Sequence, residues 1–157
     1  MAGLTQVMDQ VSKHAGRISR GEHETVKPGM PFRFSEACQS GDAVWQGDLC
    51  LTLVYAVPDG YVKAKNPSKQ LVPGTTQGSR HCLDSLSGVT VYLPRDWGQS
   101  ETDLRGPCIV LTTERTVEHP THGAVTIPAS ARHPVTVLCE YQRVWDAEQR
   151  AARRAQD

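Results

Sequence analysis

The chain has 157 residues, a length for one domain that can bury a core of its own. Lysine plus arginine equal aspartate plus glutamate at 17 each, so it lacks the basic excess with which a dedicated nucleic-acid binder neutralises phosphate. No apolar run approaches the roughly 20 residues that cross a bilayer, and Met1-Ala2-Gly3-Leu4 lacks a secretory pattern, so a cytoplasmic location without membrane contact is expected.

In chain order, Leu4, Val7, Met8, Val11, Ala15 and Ile18 recur at three- and four-residue spacing, which predicts an amphipathic helix ending at Arg20-Gly21. Pro28, Gly29 and Pro31 then interrupt a polar linker. Residues 1–31 are therefore expected to form a helical arm on a tether, whose apolar face needs cover from its own domain or from a neighbouring subunit. Residues 32–157 form the second unit.

From Phe32 onward the period is two. Leu49, Leu51, Leu53, Tyr55 and Val57 fall on one face of a strand, between a Gly47-Asp48 start and a Pro58-Asp59-Gly60 turn. A loop with a short strand at residues 70–72 follows, then strands at 89–93, 108–113, 123–127 and 135–142. Asp146 suits the cap of a closing helix over 147–155, rich in alanine, glutamate and arginine. The fold class expected is mainly β: a small antiparallel barrel or sandwich with an N-terminal amphipathic helix and a short C-terminal helix. The five cysteines form no C-x-x-C pair, and Cys50, Cys108 and Cys139 sit in apolar strands, which predicts reduced core thiols.

Three groups of residues offer chemistry. His119 and His122, three apart on a turn, are the metal candidates, with His81, His133 or a carboxylate as further ligands. The structural alternative has His119 donating a hydrogen bond that fixes the turn before Pro120. Ser79, His81 and Cys82 invite a nucleophile reading, but neighbours on a strand point to opposite faces, so His81 and Cys82 are badly placed to pair. Tyr141, Arg143 and Trp145 share a face if the last strand continues through them, as a cation–π row or a ligand platform. Asp42, Asp48 and Asp59 each adjoin glycine and read as turn residues.

Gln46-Gly47-Asp48-Leu49-Cys50-Leu51, His119-Pro120-Thr121-His122 and Gln142-Arg143-Val144-Trp145-Asp146 together resemble a family of small uncharacterised phage and bacterial proteins. Its members resemble one another in an early Gln-Gly-Asp strand, a central Gly-His-x-His segment, a His-x-x-His region and a closing Gln-Arg strand. The central element departs here, with Ser79 where the first histidine would stand and His81 matching the second. The resemblance runs from Trp45 to Asp157. It implies a β-rich barrel and a phage or mobile-element setting, in the host cytoplasm or a virion, and no established activity.

The expected function is therefore a non-enzymatic assembly protein, such as a capsid decoration or head–tail accessory component. It would dock onto its own copies or capsid proteins through Leu4, Val7, Met8, Val11 and Ile18. The alternative is a barrel that binds a small molecule, nucleotide or metal through His81, His119 and His122, with Arg143 and Trp145 as further ligand contacts. No cofactor is expected beyond a metal ion at His119 and His122. A hydrolase working through His119 or His122 ranks behind both, because no partner nucleophile can be named.

Overall fold

Apolar residues alternating with polar ones build the centre of the molecule. The computed structural model describes residues 24–25, 29–76, 79–100, 102–146 and 151–154. The described strands are β1 (Glu24–Thr25), β2 (Phe32–Arg33), β3 (Ala43–Gln46), β4 (Leu49–Val54), β5 (Tyr61–Lys63), β6 (Cys82–Leu83) and β7 (Val89–Pro94). They continue with β8 (Arg105–Leu111), β9 (Arg115–Glu118), β10 (Val125–Ile127), β11 (Val135–Tyr141), β12 (Arg143–Asp146) and β13 (Ala151–Arg154).

Seven strands form the main sheet in the order β1-β3-β4-β11-β8-β7-β5, and four form a second sheet in the order β2-β10-β9-β6. Inward residues of both sheets meet in one core: Leu49, Leu51 and Leu53 of β4, Ile109 and Leu111 of β8, and Val137 and Cys139 of β11 face Leu83, Val117, Val125 and Ile127. Each such aliphatic side chain contributes about 1.5–3 kcal/mol by leaving water. The centre of β4 is buried on both faces, since Cys50 and Thr52 are also inaccessible.

Four expectations change. The sheets are open, not closed into a barrel: among the described residues β1 bonds only β3 and β5 only β7, whereas closure requires bonded first and last strands. The pairing is not antiparallel throughout, because β1–β3 and β2–β10 run parallel. The expected C-terminal helix is replaced by a hairpin in which Asp146 pairs with Ala151 and Arg143 with Arg154. Alanine and arginine favour helix by only tenths of a kcal/mol per residue, and an isolated helix that short is marginal in water. The strand edge of β12 offers the same backbone a full set of partners. Finally, no helix occurs among the described residues, and the expected N-terminal helix falls on residues 1–20, outside them.

Among the described residues all five cysteines are free. Burial pushes the Cys50 thiol up to about 12 and Cys108 to about 11, and drives fully buried Cys139 well above its ordinary value. Cys38 and Cys82 are only half-buried, with smaller rises from the same cause. Thiolate is the reactive form, so native alkylation at pH 8 should label Cys38 and Cys82 at least roughly tenfold faster than the other three. Peptide mass spectrometry over a time course reads this directly, and equal labelling of Cys139 would contradict the packing described.

Candidate functional site

The site begins with a tight turn. β3 and β4 pair so that Gln46 faces Leu49, leaving Gly47-Asp48 as a two-residue hairpin loop. Gly47 has φ +58° and Asp48 has no positive φ, which is the pattern of a type II′ turn with glycine first. Gly47 is needed for a second reason. A Cβ there would lie 2.3 Å from Nε2 of His122, so the imidazole packs on the bare glycine backbone.

Gln46 is fully buried, and its amide crosses from the main sheet to the second one. Nε2 donates to the carbonyls of Val117 (3.0 Å) and Gly123 (2.9 Å). With the nitrogen end committed to two acceptors, the amide cannot be flipped without setting oxygen against oxygen. Oε1 is therefore the end that meets Nδ1 of His81, 2.8 Å away. An amide oxygen only accepts, so Nδ1 of His81 carries a proton. The other ring nitrogen, Nε2, stands 3.2 Å from Oδ1 of Asp48. The turn is anchored from behind, as the backbone N–H of Gln142 donates to the Asp48 carbonyl (2.9 Å).

Strand register delivers the histidines. β6 pairs with β9 through Cys82–Glu118 and Leu83–Val117, so His81 and His119, each one residue outside this ladder, arrive side by side. On its other side the His81 segment is held by Leu71 N–H on the His81 carbonyl (2.8 Å). His119 and His122 occupy the connection from β9 to β10. His119 accepts at Nδ1 from the backbone N–H groups of Thr121 (3.1 Å) and His122 (3.2 Å). It fixes the turn as expected, but as an acceptor, and so its ring proton lies on Nε2. Ring centroids are 4.3 Å apart for His81–His119, 4.5 Å for His119–His122 and 6.1 Å for His81–His122. His81 is wholly buried, while the other two are half-buried and lie nearer to solvent.

Of the residues proposed from sequence, His81, His119 and His122 come together. Arg143 is not joined to them by any described contact, the side chain of Trp145 lies outside those described, and the strand of Tyr141 does not continue through both. β11 ends at Tyr141 and β12 belongs to a different sheet. The Tyr141 hydroxyl turns into the molecule, donating to the Leu71 carbonyl (2.8 Å) and accepting from Nε1 of Trp97 (2.8 Å). Ser79, where the resembling family has a histidine, is buried and donates to the Thr76 carbonyl (2.7 Å). Among the described residues, no group of three or more His, Cys, Asp or Glu side chains has the arrangement of a metal site. The cleft between Glu36, Cys38, Glu114 and His133 lies elsewhere, and both its glutamates are paired with Arg33, at 2.8 and 2.6 Å.

Sequence reasoning missed Gln46, Gly47 and Asp48 as members of the site and read Asp48 as turn chemistry. The available signal was the glutamine: a two-residue hairpin needs glycine and tolerates aspartate, but nothing in turn formation asks for Gln46 before them.

Fold and site together define a β-rich domain of two open sheets and a separate two-stranded pair, with a histidine cluster at the junction between the two larger sheets. Residues 45–130, more than half of the chain, match the family model described as a domain of unknown function (DUF8820), and the chain belongs to that family. The matched span contains every member of the cluster. No curated protein and no solved structure matches the chain.

Two substitutions test this construction. Gly47→Ala meets both the left-handed backbone and His122, and should cost about 1–3 kcal/mol in urea unfolding. Gln46→Leu keeps much of the volume but strands two carbonyls and the His81 N–H, and should cost about 2–5 kcal/mol. A loss under about 0.5 kcal/mol for Gln46→Leu would show that the amide does not bridge the sheets.

Proposed function

We propose that this chain is a small-ligand-binding protein and that its site is the cluster of His81, His119 and His122. One observation carries the reading. Three segments far apart in sequence, Gln46–Asp48, His81 and His119–His122, converge on one point through hydrogen bonds and ring contacts. A core would be built more simply from aliphatic residues, because each buried polar group must be fully satisfied to avoid a penalty of about 1–3 kcal/mol. His119 and His122 are half-buried, so parts of both rings reach solvent.

The ligand class includes nucleotides and other small polar molecules, with a bound metal ion as the competing occupant of the same residues. Assembly through the N-terminal arm draws on residues 1–20, outside the described residues, and no described feature supports it. A phage setting belongs to the motif resemblance and adds only that such a domain could sequester a host signalling nucleotide.

The test is a titration followed through the histidine ring resonances, with adenosine monophosphate, inorganic phosphate and zinc ion as separate probes. Saturable shifts of His119 and His122 are expected, and the double variant His119→Ala/His122→Ala should lose them while unfolding within a few degrees of the parent. Rings that ignore all three probes would contradict the proposal, and saturation by zinc alone would make the site a metal centre.

A further inference from the structure

We propose that the cleft at the opposite end of the strands from the histidines is a second binding site, and that it takes a small organic cation, an ammonium group on a short apolar body. The cleft has a volume of about 430 Å³, within the roughly 300–1,000 Å³ of small-molecule sites. A hollow of about 220 Å³ continues from it, the two sharing Cys38, Pro134 and Val135. Strand direction separates this cleft from the cluster. β9 begins at Arg115, beside the cleft residue Glu114, and ends at Glu118, beside His119. β4 starts at Leu49, after the Asp48 turn, and ends at Val54, which lines the smaller hollow. The walls include the β2–β3 and β10–β11 connections, both shaped by their own bonds. Cys38 N–H donates to the Ser35 carbonyl (2.9 Å) and Gln39 N–H to Asp42 Oδ2 (2.9 Å), while the Ser130 and His133 backbones exchange two bonds of 3.2 Å.

The lining selects the ligand. Glu36 and Glu114 face the cleft, and Pro128, Ala129, Pro134 and Val135 give it an apolar floor. One guanidinium serves both carboxylates: Nη2 of Arg33 meets Oε1 of Glu36 at 2.8 Å and Oε1 of Glu114 at 2.6 Å. Two negative charges against one positive leave an excess of one, and among the described residues no second cation pairs with either glutamate. Oε2 of each carries no described bond, so acceptor oxygens remain for a ligand. Cys38 registers the same field: burial raises its thiol, and the charges of Asp42 and Glu36 add to the rise. A phosphate or carboxylate would be repelled here. An ammonium brings three N–H donors to carboxylate oxygens, in bonds strengthened by charge, while its apolar body covers the floor.

The experiment is a nuclear magnetic resonance titration of the full chain at pH 7 with phenethylammonium, against 2-phenylethanol and phenylacetate as neutral and anionic controls of similar shape. The His133 ring and the Cys38, Ser130 and Val135 amides should shift saturably with phenethylammonium alone, while the His119 and His122 rings stay still. Arg33→Gln removes the competing cation and should tighten binding about threefold, whereas Glu114→Gln leaves Arg33 balanced by Glu36 and should weaken it about threefold. Opposite signs from two surface substitutions distinguish a ligand contact from a brace that only holds loops together. Equal shifts from phenylacetate, no saturation by millimolar phenethylammonium, or changes of the same sign in both variants overturn the proposal. If either variant fails to fold, the wild-type titration with its two controls decides alone. The cleft is read at His133 and the cluster at His119 and His122, so each site can fail without the other.

Discussion

Everything at the site hangs on one buried amide. Gln46 spends its nitrogen on two carbonyls of the opposite sheet and its oxygen on His81. That single group ties β3 to the β9–β10 region, fixes which way the amide points and, through it, which nitrogen of His81 is protonated. Inside a low-dielectric core such bonds are strong when complete and costly when broken, so the network behaves as a unit. Few side chains can substitute: leucine has no polar end, and glutamate would turn donor into acceptor against two carbonyls.

The two sheets exist, from this standpoint, to aim backbone at that amide. The long ladders β4–β11 and β11–β8 make the rigid floor and carry most of the buried aliphatic surface. The second sheet is built from strands of two to four residues and is stabilised by lying on that floor. Its register matters more than its length. Shifting β6 by one residue against β9 would move His81 away from His119 and turn its ring to the other face. A chain with such short strands holds register through side-chain anchors, and Gln46 and Asp84 supply them: Asp84 Oδ1 accepts from the Thr116 backbone N–H (3.1 Å), beside a backbone bond from Asp84 N–H to the Thr116 carbonyl (2.9 Å).

Some of this was legible in the sequence. β4 and β11 were plain because their alternation spans six or seven residues and long-range burial enforces it. Val57 and Tyr55 were extended onto β4 because propensity cannot see that its pairing with β11 ends at Thr136, opposite Val54. β2, β5 and β6 are too short for any periodicity to register. Sheet closure and parallel pairing are decided by which distant strands meet, which a local pattern does not encode. The closing hairpin was misread because an alanine–arginine run favours helix only weakly, and pairing with β12 outweighs it. His119 and His122 were legible as a pair and His81 as a family-like residue, but their meeting depends on the β6–β9 register. Asp48 was hidden by its own plausibility as a turn residue, and Gln46 by lying at the end of a strand where a polar residue excites no suspicion.

The central claim is that the histidines form an occupied or occupiable site and are not core filler. Native mass spectrometry of the full chain, freshly prepared without added metal and then with inorganic phosphate, tests it most directly. The account expects a stoichiometric bound mass, carried over or added, that disappears in His119→Ala/His122→Ala while the variant keeps its folded charge-state distribution. A defined oligomer of the bare chain, with no bound mass under either condition and no difference in the variant, would contradict it.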